Sequence, residues 1–326
     1  MDIEFHHHWT LLTAARAGFK PDEARTIAYA SQYTDSNTKL HTIDEGKPSQ
    51  YSNYISQTID ITHPKKELYR IYLLFHFMPG NPLAESARRK DGSLNWLNTT
   101  PDSENARWAM TRALELGDLF RIGIAAHVYA DSWAHQNFTG YYSSFNAMKG
   151  TLAVINPFHI GHAEAGKHPD LMTLRWTDER LARANEQVDN TQRFLEAARC
   201  LFSLFARHRN PSMSQSVLEE EAAGLVKDLS ECIAGTDTSD DGKKKRLLRY
   251  LALAGTPAYG GQPFPLFHED EWFRKAITDH DRWRDPNAYQ QTEWYRFQEA
   301  VKGHQKEVGE YLLKKLSEQG IELPGF

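Results

Sequence analysis

Several kinds of feature are scarce or missing in this chain of 326 residues. Its two cysteines, Cys200 and Cys232, are too few for a disulfide framework, so we expect both to be thiols in helical core positions. No stretch reaches the roughly 18 apolar residues that a membrane-spanning helix needs. A formal net charge of −5 offers no general attraction to long nucleic acids or to a membrane surface. These absences exclude a disulfide-stapled scaffold, and we expect neither a transmembrane segment nor a long nucleic-acid partner.

The first residues also lack the basic start and apolar region of a secretory signal. The segment 1–8 contains three consecutive histidines, His6, His7 and His8, and leads directly into a helical pattern. We interpret the histidines as native and expect a cytoplasmic protein.

Alternating strand patterns are scarce, and helical periodicity dominates. The predicted helices cover residues 10–17, 21–33, 66–77, 101–138 with a bend near Gly117, 177–207, 214–233, 244–254, 270–280 and 291–319. Residues 40–62 indicate a hairpin or an irregular excursion, and 137–169 a long loop of the kind that often carries function. The fold prediction is all-α: a multi-helix bundle over residues 1–234, with a helical C-terminal extension over 235–326 packed on it or joined to it in one domain.

One predicted helix carries a row of polar side chains within an apolar run. His127, Asp131 and His135 lie at i, i+4 and i+8, and each step of four residues rotates a side chain by only about 40° on an α-helix. Buried imidazoles and carboxylates need partners, and a zinc ion or another first-row metal satisfies such a set together. A hydrogen-bonded core histidine or a surface contact is the alternative for each residue alone.

The distribution of histidine indicates where further ligands lie. Eleven of the fifteen histidines fall within residues 6–168. Asp35 and His76 each close a predicted helix, where a turn contact or a helix-dipole contact is the alternative explanation. The loop 159–170 adds His159, His162, His168 and Asp170, and capping of a following helix is the alternative for the last of these. Together Asp35, His76, His127 and Asp131 form a set of two imidazoles and two carboxylates, and His135 with the loop can build a second site.

This pattern resembles that of the zinc-dependent phospholipase C and single-strand-specific zinc nuclease superfamily. The resemblance spans about residues 5–170 and implies an all-α fold with two or three zinc ions, other first-row divalent metals being an alternative. The ligands that it implies, in chain order, are His6 or His7, Asp35, His76, His127, Asp131, His135 and His162. A closer likeness is to an uncharacterised bacterial family that opens with an acidic-Phe-His-His start and carries a Ser-Gln-Tyr-x-Asp motif.

The sequence departs from the superfamily at two points. The superfamily binds one zinc ion through the amino group of a tryptophan exposed by signal cleavage, whereas Trp9 lies inside this chain, so His6 and His7 are the substitutes for that ligand. Its second-site His-x-x-x-Glu is also missing. Glu164, His168 and Asp170 are the candidates to complete that site.

The resulting hypothesis is a metal-dependent hydrolase of a phosphate ester or phosphodiester, such as a small phosphoester or a lipid headgroup. Asp131 is predicted to bridge two metal ions, and Asp35 to bind a metal or orient the attacking water as a base. The competing hypothesis is a non-catalytic protein in which metal ions hold the helices together for binding or scaffolding. A closed four-ligand site would favour that alternative, and an open coordination position would favour catalysis.

Overall fold

The computed structural model describes residues 1–58, 60, 65–148, 159–263 and 266–323. Most of them are helical, which confirms the all-α prediction. The α-helices of these residues are α1 (Thr10–Arg16), α2 (Pro21–Ser36), α3 (Lys65–Ile71), α4 (Glu104–Leu116), α5 (Leu119–Ala134), α6 (Asn190–Arg209), α7 (Gln215–Ile233), α8 (Asp240–Ala254), α9 (Glu271–Ala276) and α10 (Glu293–Glu318). Two π-helices, Glu4–Trp9 and Tyr72–His76, precede α1 and follow α3.

The strands form two small antiparallel pairs. The first pair, β1 (Thr42–Ile43) and β2 (Tyr51–Ser52), is the hairpin that was one of the two options for residues 40–62. The second pair joins β3 (Arg175–Thr177) to β4 (Gln187–Asp189). Within the described part of the long loop 137–169, the helical segments are short 3-10 turns at Ser144–Asn146 and Ala163–Ala165.

Helix α5 lies at the centre of the fold, where it packs against α2, α4, α6 and α10. It begins where Asp118 accepts hydrogen bonds from the amides of Phe120 and Arg121, an N-cap that satisfies donors of the first turn. Every residue from Ile122 to Ala134 is buried. The polar stripe predicted from the sequence therefore lies inside the protein.

Helices α2 and α5 cross at very close range because Gly123 has no side chain. A Cβ at Gly123 would lie 2.5 Å from the Cβ of Ala30 and 2.5 Å from the carbonyl oxygen of Ile27. One turn further along α5, the His127 ring meets the carbonyl oxygen of Ser31 on α2. The close crossing thus brings the polar stripe of α5 beside the end of α2 that carries Asp35.

The prediction of a helix from residue 177 is wrong at its beginning. Residues 175–189 instead form the hairpin of β3 and β4, and α6 starts at Asn190. The Arg180 guanidinium folds back onto the buried Asp178 carboxylate with two hydrogen bonds, which holds a turn in place of a helix. Asp189 then caps α6 by accepting from the amide of Gln192. The predicted helix 101–138 is likewise two helices, α4 and α5, separated at Gly117 and Asp118.

The C-terminal helices share their hydrophobic core with the N-terminal part of the chain. Trp272, Phe297 and Val301 belong to one cluster of buried side chains with Ile27 and Phe120. The division at residue 234 remains a prediction. No helix of the described residues has the length and apolar character needed to cross a bilayer.

Candidate metal centre

The carboxylate of Asp131 is the centre of a buried cluster of histidines and aspartates. Its Oδ1 atom lies 3.2 Å from Nε2 of His6, and its Oδ2 atom lies 3.2 Å from both Nδ1 of His76 and Nε2 of His127. The two oxygens therefore face two different groups of imidazoles. A carboxylate whose two oxygens face different imidazoles is arranged as a bridging ligand would be.

Three groups of side chains in this cluster can each hold a metal ion. In each group the candidate ligand atoms all lie within 4.8 Å of one another. The groups are His6, His127 and Asp131 (group 1), Asp35, His76 and His127 (group 2), and His135, His162 and Asp170 (group 3). Groups 1 and 2 share His127. Because its Nδ1 atom is bonded to the carbonyl of Ser31, its Nε2 atom could serve as a ligand in only one of the two groups at a time.

Group 3 is assembled from the end of α5 and the loop that follows it. His135 is the C-cap residue of α5, and its Nε2 atom lies 3.2 Å from Oδ1 of Asp170. Nε2 of His162 lies 3.6 Å from the other oxygen of Asp170. The ring of Phe77 stacks on that of His135, with centroids 4.7 Å apart, and holds it against the loop.

Four histidines of the cluster are oriented in the same way. One ring nitrogen of each donates a hydrogen bond of 2.9 Å to a backbone carbonyl, which leaves the other nitrogen to face a carboxylate. The donor and acceptor pairs are His76 Nε2 with Ser56, His127 Nδ1 with Ser31, His135 Nδ1 with His76, and His162 Nδ1 with Gly166. A carbonyl partner on the outer nitrogen is what fixes the tautomer and direction of metal-ligating histidines.

His6 differs because it lacks such a partner among the described residues. Its ring is fully buried, and neither ring nitrogen makes a hydrogen bond to them. A buried imidazole without a hydrogen bond is costly, and a metal ion at Nε2, which lies 3.2 Å from Oδ1 of Asp131, would satisfy one of its two nitrogens. The ring stacks on His127 with centroids 3.8 Å apart, which holds Nε2 beside Asp131.

The charges of the cluster favour ligand binding at neutral pH. Burial and the neighbouring His127 lower the pKa of His6 to about 3, so its imidazole is neutral. Burial by itself would raise the pKa of Asp131, but the His135 imidazole and other positive neighbours hold it well below its usual range. The pKa of Asp35 is also lowered, since the imidazoles of His127, His6 and His76 outweigh the effect of burial. Burial alone would lower the pKa of His76, but its hydrogen bond to Asp131 and the charge of Asp35 raise it. The ionised carboxylates and the neutral imidazole of His6 are in the protonation states that a metal site requires, and a metal ion bound at His76 would displace any proton from its Nδ1 atom.

The amino group of Met1 also lies in the cluster. It is 2.5 Å from Oδ1 of Asp131 and 3.4 Å from Oδ1 of Asp170, and it is fully buried. Burial opposes its charge, but the carboxylates of Asp131, Asp170 and Asp35 raise its pKa to about 11. It therefore places a positive charge between groups 1 and 3, because a protonated amino group has no lone pair for a metal ion.

A cleft of about 580 Å³ opens onto the cluster. Asp35 and Asp170 line it and keep 24% and 21% of their side chains exposed, whereas Asp131 behind them is 1% exposed. Gln57 borders the cleft and donates to Oδ1 of Asp35 over 3.2 Å. Phe77 and other apolar side chains cover part of its wall. The cluster is thus open to a ligand on one side.

The structure brings together most of the residues predicted for the site. Those within the three groups are His6, Asp35, His76, His127, Asp131, His135, His162 and Asp170. His7 is buried on another side of the π-helix, where Nδ1 lies 3.0 Å from Nδ1 of His8. His168 contacts the ring of Trp176, and Glu164 accepts from the amides of Met148 and His159. Of the three candidates to complete the second site, the structure places Asp170 beside His135 and His162.

Sequence reasoning missed Gln57, the amino group of Met1 and the carbonyl partners of the histidines. Backbone carbonyls leave no trace in residue identity, and Gln57 lies in an irregular segment with no periodic pattern. Both π-helices carry a cluster histidine, His6 in one and His76 in the other. Such helices are frequent at functional sites, but no simple residue pattern predicts them.

A comparison with family models covers nearly the whole chain. The model of a family of unknown function, DUF6765, matches residues 1–312. The chain belongs to this family. No curated protein and no solved structure matches it. Membership in DUF6765 thus carries no activity with it, and the functional argument rests on the His/Asp cluster.

Proposed function

We propose that this member of DUF6765 is a metal-dependent hydrolase of phosphate esters, with zinc ions held by groups 1, 2 and 3. The observation that carries the proposal is the common orientation of the four histidines, each tied to a carbonyl on one nitrogen and facing a carboxylate with the other. The set of imidazoles and carboxylates suits zinc. It also agrees with the ligand order that the resemblance to zinc-dependent phospholipase C implies.

The open side of the cluster favours catalysis over a structural role. A structural zinc site is closed by four protein ligands, whereas a catalytic site keeps a position for water or substrate. Asp35 and Asp170 keep part of their side chains exposed and line the cleft. The nitrogens of His6, which lack a hydrogen bond to the described residues, fit the same proposal, because a metal ion satisfies a buried imidazole of this kind.

The residues of the chain have distinct roles in the proposed reaction. Bound metal ions would lower the pKa of a water molecule and offset charge on the phosphoryl oxygens. Asp131 faces His6 of group 1 with its Oδ1 atom, and with its Oδ2 atom it faces His76 of group 2 and the shared His127. Asp35 borders the cleft and orients the attacking water with a carboxylate oxygen, while Gln57 fixes that carboxylate from the other side. His135 and Asp170 would hold the metal ion of group 3, at the other end of the cluster.

The charge of the cleft favours a diester over a monoester. No lysine or arginine is among the described residues that line it. A phosphodiester carries one negative charge and leaves little for a cationic side chain to neutralise, whereas a monoester dianion would depend on the metal ions and on the amino group of Met1. We therefore propose a small phosphodiester or a lipid headgroup diester as substrate. The expected result is faster hydrolysis of bis-p-nitrophenyl phosphate than of p-nitrophenyl phosphate at the same metal loading.

Metal analysis of protein purified without chelator is the first test of the proposal. Two or three zinc ions per folded chain are expected. Fewer than one bound divalent ion per chain would overturn both the hydrolase and the structural-metal hypotheses.

The second test compares two buried aspartates in the hydrolysis of bis-p-nitrophenyl phosphate. Asp131→Asn removes a charged oxygen from the cluster and should abolish turnover. Asp44→Asn is the matched control, because Asp44 is equally buried but holds Lys47 and Ser49 in the turn between β1 and β2. Metal retained by the wild-type protein without turnover of any diester, monoester or lipid headgroup would refute the hydrolase and support the scaffold alternative.

A further inference from the structure

A buried ion pair connects the start of the chain to helix α8. The Arg246 guanidinium donates from Nε to Oε1 of Glu4 over 2.6 Å and from Nη2 to Oε2 over 2.8 Å. Both side chains are 3% exposed. The hydroxyl of Tyr250, one turn further along α8, donates to the same Oε1 atom over 3.1 Å. Helix α8 therefore holds the Glu4 carboxylate with three hydrogen bonds from two of its side chains.

Glu4 shares its π-helix with His6 and lies two residues before it. The contacts of the two side chains show that they project to different sides of the segment. Glu4 faces α8 on one side, and His6 faces α5 on the other, where it meets His127 and Asp131. A second ion pair, from Lys243 to Asp2 over 2.9 Å, lies on the same side as Glu4. The segment that carries His6 is thus held between α5 and α8.

The ring of His6 is not oriented by a hydrogen bond to the described residues. Each of the four other histidines of the cluster is fixed by a carbonyl, whereas both nitrogens of His6 lack such a bond. Its direction depends on the backbone that carries it and on stacking against His127. That backbone is held by the two hydrogen bonds between Glu4 and Arg246. A two-bond contact of this kind fixes the orientation of the side chains as well as pairing their charges.

The energetics of the pair point the same way. A buried ion pair adds little stability over apolar residues of the same size, because both charges lose their hydration. In some proteins such a pair instead selects one arrangement of the chain over others. The arrangement that this pair fixes is the approach of the π-helix to α5.

We infer that Glu4 and Arg246 are positioning residues that hold His6 in group 1, so that α8 forms part of the support of the metal centre. The inference rests on the proposed metal site and adds to it a structural role for the C-terminal region. Tyr250 takes part in the same support, because its hydroxyl also donates to Glu4. Its hydroxyl also lies 3.4 Å from the sulfur of Met172, two residues after Asp170, and so links the support of group 1 to the loop of group 3.

A double-mutant cycle between Arg246 and His6 tests this inference. Arg246→Lys keeps the positive charge but loses the planar fork, and should weaken the binding of the group 1 ion by roughly 10–100-fold. In the His6→Ala background the same substitution should have no further effect on metal binding, because the ligand that it positions is gone. The measurements are Zn²⁺ affinity by titration calorimetry and the visible spectrum of the Co²⁺-loaded protein, which a general loss of stability would not alter.

Arg180→Lys is the matched control for this cycle. Arg180 forms an equally buried two-bond pair with Asp178, with distances of 2.8 and 2.6 Å, in the turn before β4. It should lower the melting temperature without changing the Co²⁺ spectrum of group 1. If Arg246→Lys does not fold, Tyr250→Phe makes the same test, since it removes only the hydroxyl bonded to Glu4 and should weaken group 1 in the same direction.

The outcomes separate this inference from the proposed function. If the wild-type protein binds fewer than one ion, the metal site itself is refuted. If the wild-type protein binds its ions and Arg246→Lys binds them equally well, only the positioning role is refuted. An equal loss of affinity with and without the His6→Ala substitution would likewise overturn it, because the effect of Arg246 would not pass through His6.

Discussion

The imidazole of His6 stacks on that of His127, with ring centroids 3.8 Å apart and planes inclined by 21°. The two rings come from the π-helix Glu4–Trp9 and from the centre of α5. Nε2 of each faces a different oxygen of the same carboxylate, that of Asp131. Both imidazoles belong to group 1 with Asp131, so the stacked rings present their Nε2 atoms to one carboxylate, as ligands that converge on one metal ion would.

The neighbouring histidines His6 and His7 should differ sharply in their effect on metal binding. Both are buried, but only His6 is in group 1. His6→Ala should remove one Zn²⁺ ion per chain, because it deletes a nitrogen ligand. His7→Ala should leave the metal content unchanged at equal folded fraction, since His7 packs against His8 and Phe267 and is a member of none of the three groups. Metal content by atomic emission, normalised to folded protein, checks both. Loss of an ion from His7→Ala alone would contradict the assignment.

Asp170 should be the residue that completes the second site. Asp170→Asn should weaken the binding of the group 3 ion by roughly tenfold or more, because it removes the charged partner of His135 and His162. His168→Ala should not, since the His168 ring lies against Trp176. Zn²⁺ titration of both variants makes the comparison. Equal Zn²⁺ affinities of the wild-type protein and Asp170→Asn would contradict the assignment of Asp170 and leave Glu164 and His168 as the candidate ligands.

Parts of the site could be predicted because helical spacing is regular. The stripe of His127, Asp131 and His135 follows directly from the four-residue repeat of α5. The choice between His6 and His7 could not be made in this way, because their segment is a π-helix and not an α-helix. A π-helix has more residues per turn than an α-helix, so successive side chains are rotated by a smaller angle. The α-helical repeat therefore assigns the residues of this segment to the wrong faces.

The tertiary contacts that support the site were also beyond sequence reasoning. The approach of Arg246 to Glu4 joins distant parts of the chain, and neither residue has a local pattern that indicates its partner. The helix prediction over residues 177–189 failed for a related reason. There Arg180 pairs with Asp178 and the strands pair with each other, and these contacts outweigh helical propensity.

Gly161 should be required for both the stability and the metal binding of group 3. Its φ of +51° is in the left-handed region, and a Cβ there would lie 2.6 Å from the ring of Phe77, which stacks on His135. Gly161→Ala should therefore lower the free energy of unfolding by about 1–3 kcal/mol more than a backbone effect alone. The substitution should also weaken metal binding by group 3, because Phe77 must move and its ring stacks on that of His135.

Gly92→Ala isolates the backbone effect in that comparison. Gly92 has a similar positive φ of +70°, but a Cβ there would meet no atom within 4 Å. The control should lose only about 1 kcal/mol and keep its metal affinity. Urea unfolding and Zn²⁺ titration of both variants give the result. Equal losses in the two variants would mean that the contact with Phe77 has no effect.

His304 should make the metal-free protein sensitive to mild acid. Its ring is buried on α10, and Nε2 donates to the carbonyl of Leu74 over 3.0 Å. Burial, with the nearby Arg121 guanidinium, lowers its pKa from 6.5 to about 3. In the unfolded chain His304 therefore takes up a proton near pH 6.5, whereas in the folded chain it stays neutral at that pH. Stability from this group is fully present above pH 6.5 and is lost progressively as the pH falls toward 3.

The substitution His304→Gln removes the titrating group and should flatten this dependence. Between pH 7.5 and pH 5 the wild-type protein should lose about 2 kcal/mol more of its free energy of unfolding than the variant does. Urea unfolding in the presence of a chelator makes the measurement, because protonation of metal ligands then cannot contribute through metal release. The histidines of the cluster are present in both proteins, so the difference between the two losses reports the substitution at His304. Identical losses in the two proteins would show that His304 takes up its proton in the folded state, which would require a path for solvent between α10 and the carbonyl of Leu74.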